Sequence, residues 1–207
     1  MIFSGFPVGA FETNCYIIGC EETKEGAVVD PGFEAEKILK RVEKLGLNIR
    51  YIILTHGHVD HIGALAEVQQ ATGAKVLIHA EDAGMLTDSR KNLSTFAGRG
   101  LNFKEADRLL QEGDKIKVGN VEIDVIHTPG HTKGGISLKC APDILLTGDA
   151  LFAGSVGRSD FPGGSHTQLI NSIKNKLLVF PPETRVFPGH GPASTIGNEK
   201  LYNPFLR

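Results

Sequence analysis

Tyr51–Gly63 reads YIILTHGHVDHIG. Its first half is a short apolar, β-branched run of the kind that forms a buried strand. Its second half crowds His56, His58, Asp60 and His61 together, so three of the chain's eight histidines stand where that strand ends. Alternate residues of an extended segment project to the same side. His56 and His58 therefore share a side, with Gly57 between them removing bulk, a spacing that suits two ligands of one metal ion. Asp60 and His61, where the chain turns into a helix, are placed to serve a second ion close by.

Outward from this stretch, apolar β-branched runs come in two batches separated by helical patterns and Gly/Pro punctuation. CYIIG, GAVVDPG, YIILT and KVLIH form the first batch; DKIKVG, VEIDVIHTPG, GISLKC, DILLTGD and TRVFPGH form the second. Helices are expected at about 33–46, closed by Gly46, about 62–72, closed by Gly73, and about 166–178. The chain is thus α/β. No Pro- or Ser-rich linker divides it, so residues 1–207 are expected to form one domain. AVVDPG and ILLTGD, each an apolar strand followed at once by an aspartate turn, suggest two similar βα halves packed face to face.

Ligand-type residues recur at the ends of these strands: His131 in HTPGHT, Asp149 in LLTGDA and His190 in FPGHG, besides the cluster from His56 to His61. Five histidines and two carboxylates suit borderline divalent metals such as Zn²⁺, Mn²⁺ or Fe²⁺ better than Ca²⁺ or Mg²⁺, which prefer oxygen cages. Asp30, in VVDPG, either starts a turn or orients a ligand histidine from behind. His79, His127 and His166 are read as structural or surface residues.

Composition bounds the function classes. A chain of 207 residues with 41% hydrophobic content can bury a sizeable core. A formal net charge of −2 without runs of like charge argues against a nucleic-acid or membrane-surface partner. No stretch reads as a signal peptide or bilayer span, which points to the cytoplasm. Cys15, Cys20 and Cys140 lie outside every ligand pattern and are expected to be reduced, buried core residues. The sequence carries no signal for an oligomeric state.

THGHVDH at 55–61 resembles the signature of the metallo-β-lactamase superfamily, and GHT at 130–132, TGDALF at 147–152 and PGHG at 188–191 follow in that family's order. The likeness runs from TNCYII at 13–18 to TIGNEKLYNPFL at 195–206. It implies a four-layer αβ/βα sandwich and two metal sites. One is His56, His58 and His131; the other is Asp60, His61 and His190; Asp149 bridges both. Zinc is the first expectation, with iron or manganese as alternatives. Two ions a few Å apart lower the pKa of a shared water, and the resulting hydroxide attacks a carbonyl that the metals polarise.

FETNCYII, VVDPG, GRSDFPGG and TIGNEKLYNPFL most resemble the short relatives of glyoxalase II, the hydroxyacylglutathione hydrolases. The resemblance implies hydrolysis of a small-molecule thioester such as S-lactoylglutathione. A thiolate leaves with little protonation, and no general acid stands out beyond metal-bound water and Asp60, the candidate catalytic residue. Full-length glyoxalase II adds a C-terminal helical domain with basic anchors for glutathione, whereas this chain closes at Arg207, soon after His190. Arg158 is then the candidate to grip a substrate carboxylate, the competing reading being an ion pair with Asp160. The GRSDF loop at 157–161 is also similar to that of persulfide dioxygenases, mononuclear iron enzymes, which supply the alternative reaction. β-Lactam hydrolysis is expected to be slow or absent: the commonest zinc β-lactamases place a cysteine where this chain has Asp149.

Overall fold

The structure, a computed structural model, describes residues 1–96, 98 and 100–207. The first sheet is laid down in chain order: β1 (Ile2–Val8), β2 (Thr13–Gly19), β3 (Glu25–Val29), β4 (Asn48–Ile53), β5 (Lys75–His79) and β6 (Arg108–Leu110). β1, β2 and β3 are antiparallel neighbours, and β3 to β6 run parallel. The second sheet takes β7 (Lys115–Val118), β8 (Val121–His127), β9 (Ile136–Ala141) and β10 (Ile144–Gly148). After a ribbon of β11 (Leu151–Phe152) and β12 (Ser155–Val156) it adds β13 (Arg185–Pro188) and β14 (Ser194–Thr195). Its spatial order is β14-β13-β10-β9-β8-β7, antiparallel except for the β10/β13 pair.

Period-two alternation sorts each strand's side chains between layers. In β2, Cys15 and Ile17 face α1 (Ala35–Leu45) and α3 (Leu65–Thr72), with Ile38, Val42, Leu65 and Val68 opposite them. Tyr16 and Ile18 face the other way, into a core between the sheets shared with Leu77, Val125, Leu138 and Leu146. A short α4 (Ala83–Leu86) follows β5, and in the second sheet Leu145 and Val186 point outward and pack on α5 (His166–Ser172), its continuation Ile173–Leu177, and α6 (Ile196–Tyr202). Helices, sheet, sheet and helices thus form the four layers of an αβ/βα sandwich, a solution that buries both faces of both sheets. No helix among the described residues is long and apolar enough to cross a membrane. All three cysteines are buried and unpaired.

The expected strands all form, and α1 ends where Gly46 takes φ 65° and donates its N–H to the carbonyls of Val42 and Glu43. Two expected helices differ. In place of one helix over about 62–72, there is a short α2 (Val59–Ile62) and α3 begins at Leu65, because at Gly63 the chain passes against the turn after β3. A Cβ there would lie 2.2 Å from the Gly32 carbonyl oxygen, and the Ala64 N–H donates to Pro31 at 2.9 Å. The span 166–178 changes from α to π geometry at Ile173, which the side-chain pattern does not encode. β1 escaped the sequence reading because IFSGFPV interrupts its apolar residues with Gly, Ser and Pro, and Pro is tolerated on an edge strand.

Leu138 is fully buried between the sheets, whereas Leu109 is 52% exposed. Leu138→Ala should cost about 2–5 kcal/mol in urea unfolding, and Leu109→Ala within about 0.5 kcal/mol of nothing.

Candidate metal centre

Strand ends from both sheets converge on one point. Beyond β4 come Thr55, His56 and His58; α2 brings Asp60 and His61; the β8–β9 turn supplies His131. Asp149 follows β10 and His190 follows β13, and the parallel pairing of those two strands sets them side by side. Three groups have ligand atoms within 4.8 Å of one another: His56, His58 and His131; Asp60, His61 and His190; and His56, His61 and Asp149. Asp149 faces both triads. Its Oδ2 lies 3.6 Å from His131 Nε2 and 3.7 Å from His190 Nε2, and its Oδ1 lies 3.3 Å from His61 Nε2. All seven ligand-type residues singled out in the sequence therefore meet, while His79 and His127 stack on each other at 4.0 Å elsewhere and His166 opens α5.

The outer partners of the rings decide what the inner atoms are. His131 Nδ1 donates to the Arg158 carbonyl at 2.6 Å, His190 Nδ1 to the Phe11 carbonyl at 3.0 Å, and His61 Nδ1 to the Asp30 carboxylate at 2.9 Å. The Thr55 hydroxyl gives its proton to Asp30 Oδ2 at 2.6 Å, so it accepts from His56 Nδ1 at 3.2 Å. A neutral imidazole that donates from Nδ1 is an acceptor at Nε2. Four Nε2 atoms, each carrying a lone pair when its ring is neutral, and two carboxylates are thus turned toward one another. His58 Nδ1 stands 2.9 Å from His131 Nε2, and His190 Nε2 stands 3.0 Å from Asp60 Oδ2, spacings that a proton or a cation must bridge. Among the described residues, five buried side-chain polar atoms lack a hydrogen-bond partner, and His56 Nε2, His61 Nε2 and Asp149 Oδ1 are three of them. This donor set fits divalent metal ions with mixed nitrogen and oxygen preference.

The titration pattern agrees. Burial, reinforced by His61, His131 and His58, pushes His56 well below the usual histidine range, and burial with His131 brings His58 down to about 3. Burial opposes ionisation of Asp60 and Asp149, yet His61 overrides it and both stay below the ordinary carboxylate range. Burial likewise opposes the charge on His61, but Asp149, Asp60 and Asp30 outweigh it and lift this ring well above normal. A proton on His61 Nε2 does part of a cation's work there, and metal binding would release it.

Asp30, expected either to start a turn or to orient a histidine, sits at φ 51°, is buried, and accepts from the Thr55 N–H at 2.7 Å as well as from the His61 ring. Further supports were not singled out from sequence. Asp82 is 1% exposed and accepts from Thr132 Oγ1 and the Gly134 N–H, both at 2.7 Å; it ties the segment after β5 to the His131 turn. Asn14 and Tyr16 hold the His190 turn, with Asn14 Nδ2 on the carbonyls of Pro188 and Gly191 and the Tyr16 hydroxyl 2.6 Å from that of Pro188. Polar side chains inside an apolar strand, as in TNCYII, are the signal that marks them. A Cβ on Gly189 would lie 2.2 Å from Asp149 Oδ1, so only glycine leaves that carboxylate its place.

The centre forms the floor of an open cavity of about 710 Å³ that Arg158, Phe161 and Phe152 also line. Arg158 makes two bonds of 2.8 Å to Asp160 and lies 3.8 Å over the Phe161 ring. Its backbone carbonyl, rather than its side chain, is what anchors His131. Removing Asp82 strands two buried donors at about 1–3 kcal/mol each, so Asp82→Ala should lower the unfolding free energy by at least about 2 kcal/mol, whereas Asp160→Ala on the exposed loop should shift it by less than about 1 kcal/mol; denaturant titration reads both.

A profile of the Metallo-beta-lactamase superfamily matches residues 8–190. Hydroxyacylglutathione hydrolase GloC of Haemophilus influenzae is 39% identical over 203 residues, which cover 97% of this chain and 95% of the relative. The crystal structure of BLEG-1 B3 metallo-beta-lactamase superposes with a TM-score of 0.94 at 38% identity, covering 99% of each chain. The crystal structure of TTHA1623 in a di-iron-bound form gives 0.85 at 37% identity, covering 98% of this chain and all of the other. With a profile spanning most of its length and relatives this similar across nearly all of it, the chain belongs to the metallo-β-lactamase superfamily.

Proposed function

We propose that residues 1–207 form a single cytoplasmic domain that hydrolyses a small thioester, S-lactoylglutathione or a related hydroxyacyl thiol, with two divalent metal ions, zinc before iron or manganese. The observation that carries the reading is the pair of triads sharing Asp149 at the floor of an open cavity. In this reading His56, His58 and His131 hold one ion, Asp60, His61 and His190 hold the other, and Asp149 serves both. Two ions so held would supply Lewis acidity toward the thioester carbonyl and acidify water at neutral pH. The name of the Haemophilus relative supports the substrate class.

The chain's own residues have defined tasks. Asp60 keeps its charge, lines the cavity and orients the attacking water by accepting its hydrogen bond. Asp30, Thr55 and the carbonyls of Phe11 and Arg158 keep the imidazoles in the Nδ1–H form and hold their rings in place. The departing thiolate needs no acid of its own. Arg158 reaches a substrate carboxylate by exchanging its bonds to Asp160, an exposed pair that solvent already weakens. The GRSDF loop favours one second reading, oxidation of a persulfide at a single iron, because this loop both rims the cavity and anchors His131.

Protein loaded with zinc, iron or manganese should release thiol from S-lactoylglutathione or a related thioester while turning over a β-lactam far more slowly or not at all. Oxygen uptake with glutathione persulfide, and intact thioesters, would replace the hydrolase by the second reading. Asp149→Ala should lower bound metal from about two per chain and abolish thiol release, and Asp30→Ala should weaken metal affinity about 10–100-fold. Arg158→Ala should raise KM for an anionic thioester and leave a neutral one little changed, at unaltered melting temperature.

A further inference from the structure

The mouth of the cavity is built differently from its floor. Phe11, Leu93, Phe96, Phe152, Phe161 and Pro162 stand around it. Phe96 is 81% exposed, the highest value for a large apolar side chain among the described residues, and Phe11 is 57% exposed. Both stand on the rim of one concavity rather than being scattered over the surface, and grouped exposure of that kind marks a binding surface. Phe11 is fixed to the centre as well, since its carbonyl accepts from His190 Nδ1. Leu93 is held at φ 67°, a left-handed backbone that a leucine seldom adopts and that the surroundings must impose. Phe161 lies edge-on to His58 at 5.6 Å.

Positive charge is sparse there. Apart from the imidazoles, Arg158 is the one cation among the described lining residues, and both of its bonding nitrogens are engaged by Asp160. A carrier with several carboxylates would find a single guanidinium, already paired, and a wall of aromatic carbon. The cavity's size falls in the range of small-ligand sites.

We propose that, among the thioesters this site can cleave, the preferred substrate carries a bulky apolar arm, aromatic or branched alkyl, and at most one carboxylate, which places it ahead of S-lactoylglutathione with its two carboxylates and hydrophilic acyl group. The arm packs against Phe11, Phe96 and Phe152 while the thioester carbonyl lies over the histidine and aspartate floor. The inference rests on the thioester-hydrolase reading for the reaction, and on the cavity alone for the arm.

Two measurements separate those parts. Binding of 4-phenylbutan-2-one, an inert ketone that mimics either arm of a thioester, is compared with butan-2-one by calorimetry on metal-loaded protein. The phenyl ketone should bind at least about tenfold tighter, the range a hydrophobic pocket gives for added apolar groups. Phe11→Ala and Phe96→Ala together should bring the ratio near one; both side chains are exposed, and an unchanged melting temperature verifies the fold. Equal binding of the two ketones, or a ratio the substitutions do not move, overturns the inference. Thiol release is then followed from the 3-phenylpropanoyl and acetyl thioesters of N-acetylcysteamine, and from the acetyl thioester of 2-phenylethanethiol. A preference of at least about tenfold in kcat/KM for one of the phenyl substrates supports the inference and shows which arm is apolar. If no thioester is cleaved while the ketone preference persists, the hydrolase reading falls and the apolar arm stands.

Discussion

Four imidazole nitrogens and two carboxylates turned toward one another form an arrangement that cannot hold without positive charge at its centre. Each Nε2 is left facing the centre because its Nδ1 is committed elsewhere: His56 to Thr55, His61 to Asp30, His131 to the Arg158 carbonyl and His190 to the Phe11 carbonyl; at His61 a proton on Nε2 stands in for part of the charge that a metal ion would supply. Lone pairs aimed at lone pairs repel, and burial removes the water that would screen them. Much of the local structure around the centre can be understood as the means of keeping those acceptors aimed. Asp30 sits at positive φ, Gly189 must lack a Cβ, and Asp82 is buried where it accepts two hydrogen bonds from the His131 turn.

The four-layer fold serves this constraint by bringing strand ends from two sheets to one edge. The first sheet supplies the HGHVDH loop and Asp30; the second supplies His131, Asp149 and His190. The two contributions are locked by contacts that cross between them. Asn14 and Tyr16 of β2 reach the turn after β13, and Asp82 reaches the turn after β8. Function at this edge depends on the relative position of two sheets, so substitutions in the intersheet core around Leu77, Val125 and Leu138 act on the site through packing density alone.

Most of the architecture was legible in the chain because short apolar, β-branched runs bounded by Gly and Pro are too short for buried helices and read as buried strands, and the second and third layers are made of such runs. The seven ligand-type residues were legible for a related reason, since each lies in the turn or helix start that follows such a run. What was hidden is what depends on space rather than order. β1 breaks its pattern with Gly5 and Pro7, and the helix after His61 is split by a close approach of Gly63 to Gly32, far apart in sequence. Asp82, in HAEDAG, looks like a helix-start residue until the fold brings Thr132 and Gly134 to it. Arg158 was singled out for its side chain, whereas its carbonyl is the group in contact with a ligand histidine.

Anomalous diffraction at the absorption edge of the bound metal, from crystals of protein grown with zinc, tests the central claim most directly. The account predicts two peaks per chain, one among His56, His58 and His131 and one among Asp60, His61 and His190, with the Asp149 carboxylate between them. A single peak, or metal bound away from these residues, would contradict it.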